Sequence, residues 1–155
     1  MRIHARKRHV LLTVGLLLLL CGCADTAGSN TPPAEPAENG LAIAALFSQE
    51  NGGFLCNRTV RFSFGENRLD HDLDSAGEWK VSGLPRSGDM TLTLLDQQEQ
   101  VQGMMTLSLN EGAVIDATTD ENGVGHITFR DDTDEIALLF LLKNDGSILC
   151  SLRLS

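Results

Sequence analysis

The sequence predicts an all-β domain, a sandwich or a barrel, placed after a leader and a polar tether. Three observations support this: short segments that alternate apolar and polar residues, turn sequences between these segments, and an N-terminal stretch of quite different composition. The 155 residues suit one domain once the leader is removed.

The first 22 residues have the features of a signal peptide. Residues 1–9 hold Arg2, Arg6, Lys7 and Arg8 and no acidic residue, and residues 10–20 are almost all apolar. A helix needs roughly 20 apolar residues to cross a bilayer, so this run is too short for a stable anchor. A basic segment, a short apolar segment and a small-residue exit are typical of a secretory leader, here residues 1–22.

Leu20-Cys21-Gly22-Cys23 resembles the lipobox of bacterial lipoproteins. The resemblance implies that Cys23 receives a diacylglyceryl thioether, becomes the new N-terminus and anchors the protein to a membrane, facing the exterior or the periplasm. A thiol suits this role because it is a nucleophile that a lipid donor can alkylate. The alternative is an ordinary secretory leader that ends in cysteine. Ala24 leaves an outer-membrane location open, and the type of envelope is not indicated.

Residues 23–40 form the predicted disordered tether, since they hold three of the four prolines and few bulky apolar residues. Cleavage before Cys23 removes four of the 12 Lys and Arg residues and none of the 21 acidic ones, so the mature chain carries 8 − 21 = −13. This charge excludes nucleic acid as a partner, because nothing could neutralise a phosphate backbone.

Residues 41–155 form the predicted β domain. Residues 41–49 are ambiguous between a short helix and a strand. Later segments alternate with period two, which indicates one buried and one exposed face. Turn sequences rich in Gly, Asn and Asp separate them, so we expect about seven or eight strands. The inward positions are expected at Val60, Phe62, Phe64, Trp79, Val81, Met90, Leu92, Leu94, Met105, Leu107, Leu109, Ile127, Phe129, Ile148, Cys150 and Leu152, with residues 136–142 as a central strand apolar on both faces.

An internal match supports this pattern. A shift of 46 residues places Asp74–Val81 on Asp120–Ile127, so that the Asp and Gly positions of both turns coincide. Duplication and chance similarity between two β-hairpins both remain open.

The same residues resemble the collagen-adhesin B-repeat and carboxypeptidase-regulatory-like domains. Thr119-Asp120-Glu121-Asn122-Gly123 is similar to their T-D-x-x-G turn, and Trp79 to Gly88 is similar to the strand and G-L-P-x-x-G segment that follows it. The resemblance covers residues 54–155 and implies an Ig-like, prealbumin-like β-sandwich that serves as a spacer or adhesion module. The isopeptide bond of many B-repeats is not expected, since Lys80 and Lys143 are the only lysines of the mature chain.

Cys56 and Cys150 share strand parity with inward residues, and the first and last strands are neighbours in the resembled fold. A Cys56–Cys150 disulfide is therefore the expectation, and two separate buried thiols are the alternative.

Two acidic clusters, residues 70–74 and 131–135, raise the question of a calcium site. Alternating carboxylates are suitable ligands, but Ser75 and Val81 stand where a helix–loop–helix site needs Gly and a bidentate acid. The simpler interpretation is a pair of solvated acidic loops. His126 is expected on an exposed strand face and Trp79 in the core.

No catalytic motif is present, so we expect that the protein has no enzymatic activity, no cofactor and no metal site. The expected function is a membrane-anchored, non-catalytic envelope module that binds a protein partner or acts as a spacer. The alternative is a lipoprotein that binds a solute or calcium through its acidic loops.

Overall fold

Ten β-strands and no helix make up residues 40–153, which are the part of the chain that the computed structural model describes. The predicted signal peptide, the predicted lipidation site Cys23 and the predicted tether up to residue 39 lie outside the described residues. The strands are β1 (Leu41–Gln49), β2 (Thr59–Phe64), β3 (Asn67–Asp72), β4 (Glu78–Leu84), β5 (Gly88–Leu95), β6 (Val101–Glu111), β7 (Asp116–Thr119), β8 (Val124–Phe129), β9 (Glu135–Leu142) and β10 (Ile148–Leu152).

The strands form two sheets, so the predicted all-β sandwich is confirmed. The four-stranded sheet has the order β10-β9-β1-β4, and the six-stranded sheet has the order β3-β2-β5-β6-β8-β7. The β1–β9 and β6–β8 pairs are parallel, and the other pairs are antiparallel. Strand β9 has a partner on both sides, as its doubly apolar sequence predicts.

The structure has more strands than the expected seven or eight. Residues 41–49 are a strand, β1, and not a helix; its alternate residues Leu41, Ile43, Ala45 and Phe47 are buried. Strands β3 and β7 are the other additions. Their sequences are too polar to show an alternation, because both lie at edges of the six-stranded sheet and bury little side-chain surface.

Aromatic side chains fill the centre of the core between the sheets. The Phe47 and Phe140 rings stack with centroids 5.0 Å apart, and Trp79 lies 5.1 Å from Phe62 and 5.9 Å from Phe140. Trp79 is 6% exposed, which confirms its predicted place in the core. The sandwich is therefore held by aromatic contacts between strands of both sheets.

Five turns share one hydrogen-bond pattern: 49–53, 74–78, 96–100, 120–124 and 143–147. In each, the first N–H donates to the fifth carbonyl, and the fourth N–H donates to the first carbonyl. The fourth residue has a positive φ and is glycine in all of them except at Glu99, where φ is 59°. The two turns of the predicted repeat thus share their geometry. The strands that follow them do not share a place in the fold, since β4 and β8 lie in different sheets.

Replacing Glu99 with glycine is expected to stabilise the protein by about 1 kcal/mol, because a side chain is strained in the left-handed region and glycine is not. The neighbouring Gln98, which does not have a positive φ, provides the control: Gln98→Gly is expected to destabilise slightly through added unfolded-state entropy. Urea unfolding of both variants measures the difference. Equal effects of the two substitutions would contradict the assignment of strain to Glu99.

All five turns lie at the same end of the sandwich. Strand β1 begins at Leu41, directly after the tether, and runs toward the 49–53 turn; the strand pairings and the short β4–β5 connection then fix the direction of the other strands. We call the end with the five turns the distal end and the end where residue 40 joins β1 the tether end. Nine extended residues separate the two ends by about 30 Å.

Candidate functional site

The candidate site is a notch in the six-stranded sheet near the distal end. Strand β6 pairs with β5 from Val101 to Leu109, but β8 pairs with β6 only from Thr106 to Glu111. Within residues 40–153, no strand therefore pairs with the β8-side edge of β6 before Thr106. An edge of this kind presents backbone N–H and C=O groups without ladder partners.

A depression of about 340 Å³ lies along this edge, and both methionines of β6 contribute to it. Met104 points to the outer face and is 62% exposed, whereas Met105 and Ile148 are buried and lie on the core side. The depression is at the lower limit of the volumes typical of ligand pockets. Its lining residues are Thr91, Met104, Met105, Thr106, Asn122, Gly123, Val124, Ser147 and Ile148.

The turns that border the notch are acidic. The β7–β8 turn contributes Asp120 and Glu121, and the β9–β10 turn contributes Asp145 beside Lys143. His126 Nε2 lies 3.0 Å from Asp120 Oδ2, and this hydrogen bond lowers the pKa of Asp120 below its ordinary value. The Ser147 hydroxyl donates to Asp145 over 2.6 Å and lowers the pKa of that carboxyl in the same way. Both carboxylates are thus negatively charged near neutral pH.

His126 lies on the exposed face of β8, as the sequence predicts, and the structure adds its contact with Asp120. The contact spans the β7–β8 turn, whose first residue also accepts the N–H groups of Asn122 and Val124 through its other carboxylate oxygen. His126 therefore supports the turn that forms one wall of the notch.

The first acidic cluster is not a loop, in contrast to the expectation. Asp70 and Asp72 belong to strand β3, and the Asp70 carboxylate receives the Arg61 guanidinium at 2.9 and 3.0 Å as well as that of Arg68. Hydrogen bonds from Arg68 and Arg61 hold the pKa of Asp70 far below its usual range. Asp72 accepts the Thr59 hydroxyl at 2.7 Å, so these oxygens already have partners within the sheet.

The second acidic cluster, residues 131–135, begins in the β8–β9 loop at the tether end, where a cation from another loop holds it. Arg86 Nη1 donates to the carbonyl of Thr133 at 2.8 Å, and Nη2 donates to those of Arg130 and Asp131 at 3.1 and 2.8 Å. Its Nε donates to Glu111 at 2.6 Å. Arg86 in the β4–β5 loop thus connects the end of β6 with the β8–β9 loop, a role that the sequence did not suggest.

Among residues 40–153, no group of three or more His, Cys, Asp or Glu side chains is arranged to hold a metal ion. The same part of the chain contains no helix long and apolar enough to cross a membrane.

The expected Cys56–Cys150 disulfide is absent from the structure, where both cysteines are free. Cys56 is exposed in the β1–β2 loop, next to Leu55, which donates to the Phe47 carbonyl on β1. Cys150 lies on β10 and is separated from β1 by β9. Its backbone N–H donates to the Thr119 hydroxyl at 2.7 Å, so it links β10 to β7 at the side of the sandwich.

The two thiols are expected to differ in reactivity. Burial raises the pKa of the Cys150 thiol to about 12, whereas Cys56 is exposed. In a chain that begins at Ala24, native protein without reductant should take up one iodoacetamide, at Cys56, and unfolded protein should take up two. Intact mass measures the uptake. Unfolded protein that takes up no iodoacetamide without reductant, and two after reduction, would show that the disulfide forms.

The outer face of the four-stranded sheet also carries exposed apolar residues. Leu139 and Leu141 of β9 are half-buried, and Leu149 of β10 is 41% exposed. This face is crossed by the Lys80–Glu135 ion pair in its tether half and by the Arg153–Glu78 ion pair nearer its middle. It has no open backbone edge at its centre, so the notch is the better candidate site.

The notch was not predicted from the sequence. The alternation of β6 does place Met104 on the outer face, and this was the one signal that could have drawn attention to it. The open edge itself depends on the point at which β8 joins β6, which no local pattern in the sequence reports.

No family model matches the chain, and no curated protein matches it. The site is therefore interpreted from its own geometry and charges.

Proposed function

We propose that the protein is a lipid-anchored, non-catalytic binding module of the bacterial envelope that contacts a partner protein at its distal end. The observation that supports this proposal is that the N-terminal attachment point and the notch lie at opposite ends of the domain. Residue 40 joins β1 at one end, and the notch lies near the other. A module tethered by its N-terminus presents the opposite end to partners beyond the membrane.

Binding is favoured over a pure spacer role by the composition of the notch. A spacer gains nothing from an exposed methionine next to an unpaired strand edge, and both features expose the protein to aggregation. Flexible methionine side chains are common on surfaces that bind protein partners. The calcium alternative has less support, because Asp70 and Asp72 already have partners within the sheet.

The anchor is tested by replacing each leader cysteine in the full chain. Cys23→Ala is expected to abolish the lipid-dependent mass increase and to release the protein from the membrane fraction. Cys21→Ala is the matched control and should leave both unchanged, because residues 1–22 are removed. Intact mass of the membrane-extracted protein provides the measurement. A lipid that remains attached in the Cys23→Ala variant would contradict the proposed anchor.

A further inference from the structure

We propose that the notch binds an extended, cationic segment of the partner protein, which adds to the six-stranded sheet as a strand along β6. This inference rests on the proposed function and specifies the chemistry of the partner. Three features of the notch support it, namely its backbone edge, its apolar floor and the charge of its borders.

The backbone edge determines the conformation of the ligand. In the described part of the chain, no strand pairs with the β8-side edge of β6 over Val101–Met105. The core side of this edge is partly covered at Gly103, where an added Cβ would lie 2.9 Å from the carbonyl oxygen of Gly146. An incoming strand can pair with these backbone groups, which gives affinity without regard to sequence. Five residues of strand extend over about 17 Å, so a segment of about five residues fits the open edge.

The apolar floor requires an apolar side chain from that segment. Side chains of an added strand alternate between the two faces of the sheet. Those on the core side meet Met105 and Ile148, whereas those on the outer side lie beside Met104 and Val124. A small apolar residue at every second position therefore suits the core side of the notch.

The borders of the notch favour positive charge on the ligand. Asp120, Glu121 and Asp145 flank it, with Lys143 as the one basic residue in the same two turns. This field attracts a cationic segment and repels an acidic one.

The sign of this charge also argues against the tether of the same protein as the occupant. Residues 24–39 contain Asp25, Glu35 and Glu38 and no lysine or arginine. They also contain three prolines, which cannot donate to a β-ladder. The occupant is therefore assigned to a different protein.

A pair of synthetic octapeptides tests the proposal on the mature protein that begins at Ala24. One alternates lysine and valine, and the other alternates glutamate and valine. The lysine–valine peptide is expected to bind and to protect from hydrogen exchange those amides of Val101–Met105 that do not donate to β5, and its affinity should fall with added salt. Methylation of those nitrogens of the peptide that face β6 should weaken its binding at least about tenfold, because the donors to the β-ladder are lost.

Two surface variants provide the matched comparison. Met104→Arg adds a bulky positive charge beside the unpaired edge and is expected to weaken the binding of the lysine–valine peptide about tenfold. Asn67→Arg makes the same charge change on exposed β3, at the opposite edge of the six-stranded sheet, and should have little effect. Melting temperatures of both variants show whether they fold. Equal weakening by the two variants, equal binding of the glutamate–valine peptide, or no protection of Val101–Met105 would each overturn the proposal.

The outcome is independent of the anchor experiment. Lipid at Cys23 together with failure of the lysine–valine peptide would overturn the strand-addition inference and leave the lipid anchor in place.

Discussion

Phe140→Ala is expected to destabilise the protein by about 4 kcal/mol, the largest effect of any single substitution considered for this chain. Phe140 is fully buried on β9, and its ring stacks on Phe47 at 5.0 Å and lies 5.9 Å from Trp79. Truncation removes these contacts and leaves a cavity where the two sheets meet. Neighbouring rings are held by strands on both sides, so they can fill that cavity only in part.

Phe54→Ala is the matched control, because Phe54 is 59% exposed. We expect it to change the free energy of unfolding by less than about 0.5 kcal/mol. Urea denaturation followed by Trp79 fluorescence reports both variants. A Phe140→Ala protein that unfolds at the wild-type midpoint would show that this aromatic cluster does not hold the sheets together.

Arg86→Ala is expected to destabilise by about 3 kcal/mol. The Arg86 guanidinium donates to Glu111 and to three backbone carbonyls of the β8–β9 loop, and it lies 5.1 Å from the centre of the Phe129 ring. Its loss leaves the part-buried Thr133 carbonyl without a donor, which costs more than that hydrogen bond itself contributes, and exposes the carbonyls of Arg130 and Asp131 to water. The side chain is 24% exposed, so solvent screening is incomplete.

A conservative variant separates the shape of the Arg86 side chain from its charge, and a variant of a nearby arginine serves as the control. Arg86→Lys keeps the positive charge but lacks the planar fork that reaches several carbonyls together, so it should recover less than half of the loss. Arg130→Ala removes a solvent-exposed partner of Asp132 in the same loop and should cost less than about 0.5 kcal/mol. If Arg86→Lys is as stable as wild type, the carbonyl contacts are not the source of the stability.

The sandwich could be predicted because the signals for its strands and turns lie in short, continuous stretches of the sequence. Alternation with period two identifies a strand with one buried face, and Asp-x-x-Gly sequences identify turns such as residues 74–77 and 120–123. Strand β1 was ambiguous because Ala42, Ala44 and Leu46 make its outer face apolar too. Edge strands β3 and β7 were missed because a polar strand at a sheet edge carries no hydrophobic signal.

The notch and the state of the cysteines could not be predicted, because both depend on register between distant segments. The unpaired edge of β6 exists because β8 joins it at Thr106, which follows from parallel pairing between two strands that β7 separates along the chain. Likewise, Cys56 and Cys150 share an inward parity in the sequence, but Cys56 lies in a loop, where strand parity does not apply. Parity along a strand says nothing about which strands are neighbours.

Labelling of position 104 in permeabilised cells is the most direct test of whether a partner protein occupies the notch. The full chain with Cys56→Ala and Met104→Cys is compared with the full chain carrying Cys56→Ala and Thr118→Cys, since both positions are exposed on the six-stranded sheet. A membrane-impermeant maleimide should label both purified proteins equally. In cells with a permeabilised outer layer, a partner bound at the notch should make the labelling of position 104 several-fold slower than that of position 118. Equal labelling of the two positions in cells would contradict a partner bound at the notch.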